Sequence, residues 1–151
     1  MKIVVLIVFL FSNLMHSQIQ FDIDTSYTVW STFNKEKNKF PFIKIVSEKK
    51  QEAINQIKDL VYEKIDSREL HLDAFYCKGK QKNPAVLLIH GGGWKSGNKS
   101  QMKFFAQEIA SKGYSCFAVE YRLSPEAKYP AAIFDVKNAI KFIKCNAKNL
   151  M

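Results

Sequence analysis

The chain of 151 residues predicts an α/β fold: two leading strands, then strand-helix-strand-helix, with helices on both faces of the sheet. Three observations carry this. Ala85–Ile89 and residues 114–121 are short runs apolar on both faces, the pattern of strands buried from two sides. Residues 100–112, between them, repeat apolar residues at helical spacing and stop at Gly113, a residue suited to helix ends. Pro130 then opens a final helix at a position where a missing N–H costs nothing. Its apolar stripe runs through Ala132, Ile133, Val136, Ala139, Ile140, Ile143 and Ala147. Strands and helices in alternation, with continuously apolar strands, imply parallel pairing and two covered faces.

The chain divides into three parts. Residues 1–17 read as a signal peptide: Lys2 supplies positive charge, an apolar run extends from Ile3 to Phe11, and a small residue, Ser17, closes a polar stretch. That run is shorter than the roughly 20 residues that cross a bilayer. Export to the periplasm or the exterior is therefore expected, with an uncleaved N-terminal anchor as the alternative and no stable membrane anchor in the mature chain. Residues 18–47, with aromatics scattered among lysines, form an N-terminal lead-in. Residues 48–151 are the partial α/β domain. Within it, Ser47 is expected to cap a helix over 48–60, since Ala53, Ile54, Ile57, Leu60 and Val61 recur at helical spacing. Strands over 61–65 and 70–76 follow, joined by a turn at Asp66-Ser67-Arg68. Residues 79–84 form a polar loop.

The formal net charge is +9, but the charges are scattered. The densest group, Lys137, Lys141, Lys144 and Lys148, lies opposite the apolar stripe of the last helix and reads as its solvated face. No nucleic-acid partner is implied. Cys77, Cys116 and Cys145 form no C-x-x-C pair, so neither a metal site nor a disulfide framework is indicated, and any pairing among them stays open. Cys116 lies in an apolar strand as a small core residue.

The chemistry is concentrated in His90-Gly91-Gly92-Gly93-Trp94, directly after a strand. A glycine run at the end of a rigid element presents bare backbone N–H groups, which form an anion site without side chains. A phosphate loop is a poor fit. Gly92 and Gly97 have the spacing, but Asn98 stands where the lysine belongs. An oxyanion-binding loop fits better, with Gly92 and Gly93 as donors and His90, Gly91 and Trp94 holding them.

With these residues the chain resembles the α/β-hydrolase fold, in the esterase/lipase branch that includes hormone-sensitive-lipase-like and feruloyl- or acetylxylan-esterase-like enzymes. A second match follows in order: Tyr121-Arg122-Leu123-Ser124-Pro125-Glu126-Ala127, Tyr129-Pro130-Ala131-Ala132 and Asp135-Val136. The resemblance covers about residues 60–148 and implies carboxylic ester hydrolysis without a cofactor or metal. The implied substrate is a small ester or an acylated polysaccharide. It also implies a triad in the chain order Ser, acid, His, with the Ser in a Gly-x-Ser-x-Gly elbow.

This sequence has no such elbow and no nucleophile, acid or base of that triad. His71 and His90 precede any position the nucleophile could take, and Asp135 reads as a helix or loop tether. The chain is therefore expected to be the N-terminal portion of the fold, truncated before the elbow strand, and inactive alone. Ala85–Ile89, central in the family's sheet, would then become an apolar edge, which natural sheets avoid. A peptidase or amidase on the same fold is one alternative. A non-catalytic remnant or binding fragment is the other.

Overall fold

The computed structural model describes residues 28–47, 53–79 and 83–150. The expected leader lies outside these residues, as do positions 48–52. The element order is α1 (Val29–Glu36), β1 (Ile54–Ile65), β2 (Arg68–Cys77), β3 (Ala85–Ile89), α2 (Lys103–Ser111), β4 (Ser115–Val119), α3 (Ala131–Cys145) and α4 (Ala147–Leu150). A short 3-10 turn, Lys99–Met102, precedes α2. It displaces the start of the expected helix, because the Asn98 side chain accepts the Ser100 N–H at 2.9 Å and caps that tighter turn instead.

Four strands form one mixed sheet in the order β1-β2-β4-β3. β1 and β2 make an antiparallel hairpin, with Ile65 paired to Arg68 at the turn. β2 runs antiparallel to β4, and β3 parallel to β4, with Leu88 opposite Ala118. The expected parallel pairing thus holds for the strand-helix-strand unit, and the two leading strands add an antiparallel flank.

Alternation along β4 sorts the core. Phe117 and Val119 face α3 and α4, where Leu70, Leu72, Ala139, Ile143 and Leu150 join them. Cys116 and Ala118 face α2, packing with Phe75, Leu88, Ala106 and Ala110. A sheet with a helix on each face is the predicted layering. Cys116 is a buried core residue, and burial pushes its thiol up to about 11.

The helix expected over 48–60 is corrected wherever it can be seen: from Ile54 onward the chain is strand. The cause is a pair of irregularities between Ile57 and Leu60 and between Val61 and Glu63. Each bulge inserts unpaired residues and so breaks the period of two. Ile57, Leu60, Tyr62 and Ile65 all pack on the α3 side despite uneven spacing. That spacing of apolar residues imitates a helical stripe. Asp59, at the first bulge, takes a left-handed φ of 56°.

Among the described residues β3 pairs on one side only and forms the sheet's edge. Its last residue, Ile89, is 48% exposed. Beside the sheet, Ile133 and Phe134 of α3 are also exposed. The lead-in contributes α1, which no clean period foretold. A reciprocal cap at Thr28 and Ser31 starts it, and it contains no buried residue.

Candidate oxyanion loop and its supports

Residues 90–97 leave β3 and turn back on themselves. The Gly92 carbonyl accepts three bonds, from the Lys95 N–H at 3.1 Å, the Ser96 N–H at 3.1 Å and the Ser96 hydroxyl at 3.0 Å. Ser96 is buried and so closes the loop from inside. The amides of Gly92 and Gly93 donate to no other described residue. A folded loop with its carbonyl tied inward and its amides unspent can receive a negative oxygen.

The two glycines are required for different reasons. At Gly92, with φ 126°, a Cβ would overlap the Ser96 carbonyl. At Gly93, with φ 61°, a Cβ would meet nothing within 4 Å. Open space for an incoming group therefore lies at Gly93. Gly92 lacks a Cβ so that the loop can close. Gly97 packs equally tightly, since a Cβ there would lie 2.7 Å from the His90 Nδ1.

His90 is buried and stacks on Tyr121, ring centroids 4.4 Å apart. Its Nδ1 lies 2.9 Å from the Gly91 carbonyl, which can only accept, so Nδ1 carries the proton. Burial holds the imidazole below its ordinary 6.5, against the opposing bond to that carbonyl. The Tyr121 hydroxyl donates to the His90 carbonyl at 3.0 Å. His90 is thus neutral, enclosed and spent on the loop's own backbone. Trp94, at φ 60°, is exposed, and its carbonyl accepts the Ser124 N–H at 2.7 Å. That bond joins the glycine loop to the loop leaving β4.

The β4 exit loop is held by charge. Asp135 of α3 is 0% exposed. Its carboxylate accepts the Arg122 N–H at 2.9 Å, the Nε at 3.0 Å and the Nη2 at 2.6 Å. The hydrogen bonding raises the Arg122 pKa. Both carboxylate oxygens are committed to Arg122, which gives Asp135 the tethering role expected from sequence. Arg68, in the β1–β2 hairpin, reaches Glu126 at 2.7 Å and Glu120 at 2.6 Å. His71 stands beside Glu120, its Nδ1 3.3 Å from the carboxylate, as part of this network.

Sequence reasoning missed one further support. Lys99, at the far end of the glycine loop, bonds Asp73 at 2.5 Å and Asp59 at 2.7 Å. The Asp59 N–H also donates to Asp73 at 2.9 Å. The bulge in β1 brings Asp59 to this cluster, which ties the loop's exit to the hairpin. A charged residue between the inward-facing Leu72 and Ala74 was the available signal.

A hollow of about 420 Å³ adjoins the loop on the α3 side, lined by Gly93, Trp94, Tyr129, Pro130 and Ile133 among others. A family profile, BD-FAE, matches residues 72–151, from β2 through α4. The chain belongs to the BD-FAE family. Curated relatives of this BD-FAE chain include the esterase LipC of Mycobacterium tuberculosis, 32% identical over 78 residues, covering 50% of this chain and 19% of that protein. The kynurenine formamidase of Debaryomyces hansenii is 32% identical over 78 residues, covering 48% of this chain and 27% of that one. Among solved structures, the thermophilic esterase Est2 of Thermogutta terrifontis superposes with TM-score 0.57 at 26% identity, covering 61% of this chain and 35% of that one. The sheet is thus part of an α/β-hydrolase of the esterase/lipase kind, and the chain spans about a third or less of these proteins.

Proposed function

We propose that this BD-FAE chain supplies the oxyanion-binding portion of an exported serine-type carboxylic ester hydrolase. The observation that carries the reading is the pair of unspent amides at Gly92 and Gly93, in a loop whose carbonyl is tied inward. Attack on an ester carbonyl converts its oxygen to an alkoxide, and preorganised N–H donors at that oxygen lower the barrier. Losing one such donor typically costs about 100- to 1,000-fold in rate. Similarity to esterases supports a small ester as substrate, and an acylated polysaccharide suits a protein with the leader-like residues 1–17.

Among the described residues, neither Asp135 nor His90 is available as acid or base. Asp135 is bonded to Arg122 and His90 to Gly91. The full reaction draws its Ser, acid and His from outside these 151 residues. The test is hydrolysis of p-nitrophenyl acetate by this chain alone and by the same chain extended in its own coding sequence through a Gly-x-Ser-x-Gly segment and the acid and His that follow it. Activity is expected only in the extended protein, abolished by a serine-reactive phosphonate. Phosphonate-sensitive turnover by the 151 residues alone would overturn the reading.

The similarity to a formamidase favours a second reading, hydrolysis of an amide through the same donors. Faster turnover of formanilides than of matched esters by the extended protein would select it.

A further inference from the structure

The outer face of α3 carries a row of positive charge that no described carboxylate pairs with. Lys137, Lys141 and Lys144 follow at intervals of four and three residues, and Lys148 of α4 continues the series. All four are exposed. Residues so spaced lie on one side of a helix, and the row from Lys137 to Lys144 runs about 10 Å along it. Elsewhere cations meet carboxylates, as Lys64 does Glu69, Lys99 Asp73 and Lys112 Glu108. Among the described residues none of the four lysines forms an ion pair. Residues 127–150 hold one acid, Asp135, and it is buried and spent on Arg122. Glu63 reaches α3 from β1, but it accepts the Asn138 amide at 2.6 Å.

Like charges at this spacing repel one another and cost the helix stability. A bound polyanion removes that repulsion, and the shape of the row selects which. The ammoniums stand in single file, which suits one extended strand of negative charge. A membrane surface calls for apolar side chains that reach past the charges. Here Phe134 lies under the Lys137 ammonium, 5.9 Å from its ring centroid. Ile133 opens on the hollow beside Gly93. It stands one turn before Lys137, so the row starts at that hollow's rim. Residues 1–17, read as a leader, would take the chain to the exterior, where extended polyanions are acidic polysaccharides rather than nucleic acid.

We propose that the lysine row of α3 and α4 is a docking track for an acidic polysaccharide, a polyuronate whose carboxylates pair with the ammoniums while its next units reach the hollow at Gly93. The link to the glycine run rests on the ester-hydrolase reading, whereas the binding needs no catalysis. The 151-residue chain is titrated with polygalacturonate by calorimetry. Binding is expected, and its affinity should fall roughly tenfold between 0.01 and 0.1 M salt, as the Debye length shortens from 30 to 10 Å. Neutral dextran should not bind. Lys137→Gln, Lys141→Gln and Lys144→Gln together should weaken polygalacturonate by about tenfold, the loss of three exposed ion pairs. The same change at Lys35, Lys37 and Lys39 removes equal charge from exposed positions spaced by two. It should weaken binding by less than about threefold. With repulsion relieved, the α3 triple variant should melt no lower than the wild type. Lys141→Glu, a single exposed change, should weaken binding in the same direction.

Absence of binding, indifference to Lys141→Glu, or equal losses in the two triple variants would overturn the inference, the last because net charge alone would then explain it. So would tighter binding to phosphatidylglycerol vesicles or to single-stranded DNA at matched charge. Binding through the lysine row while no extended protein hydrolyses esters leaves this inference standing and removes the catalytic reading. Hydrolysis by the extended protein without polygalacturonate binding does the reverse.

Discussion

The two loops that leave the parallel strands β3 and β4 meet at the Trp94–Ser124 bond and are held by opposite means. The loop after β3 is held by backbone: three donors converge on the Gly92 carbonyl, and Gly97 packs against His90. The loop after β4 is held by ionised side chains, Arg122 with Asp135 and Arg68 with Glu126. The difference follows from what each leaves free. Carboxylates used as the loop's fastenings would repel any incoming anion. Backbone closure leaves two amides open. The ion pairs lie in the neighbouring loop and at the exit of the glycine loop, where Lys99 meets Asp73 and Asp59, and they are spent on one another.

The largest test of this contrast is Asp135→Ala, which leaves Arg122 without its buried partner. Removing one member of such a pair typically costs about 3–5 kcal/mol. Arg122 keeps some access to water, so a loss near 3 kcal/mol in urea unfolding is expected. A loss below about 1 kcal/mol would mean that the second loop does not depend on its charges.

The glycine loop is probed by a matched pair. Gly92→Ala forces overlap with Ser96 and should cost about 2–3 kcal/mol through strain at a residue held in a sparsely populated region. Gly93→Ala meets open space and bears only the left-handed backbone penalty, about 1 kcal/mol. Equal losses would show that the two glycines do not have separate duties.

The smallest effect is the pH dependence of His90. Its folded pKa lies below the ordinary 6.5, so the unfolded chain binds more protons between the two values. Stability from this group is complete above about pH 6.5 and declines as pH falls through the folded pKa. The difference in urea midpoint between wild type and His90→Gln should therefore shrink between pH 7.5 and pH 5.5. A constant difference would indicate that the ring titrates freely.

The legibility of the fold followed the range of its interactions. β3, the glycine turn, α2, β4 and α3 were readable because period and punctuation are local: an apolar run, a glycine stop, Pro130. The tether at Asp135 was readable for the same reason, lying close in sequence to the loop it holds. β1 was misread because bulges moved its apolar residues off the period of two. Arg68 with Glu126 and Lys99 with Asp73 bridge segments far apart in the chain, and only pairing of the strands brings them together. No short window of sequence encodes such contacts. α1 buries nothing, so it left no apolar stripe to detect.

Ser96 carries a consequence beyond closing the loop. The carbonyl of Gly92 and the N–H of Gly93 belong to one planar trans peptide, in which they point in opposite directions. Drawing that carbonyl inward with the Ser96 amide and hydroxyl therefore swings the Gly93 N–H outward, toward the side where Gly93 has open space. The unit behaves as a rigid lever with its short end gripped. A buried serine thereby sets the direction in which the Gly93 N–H leaves the loop.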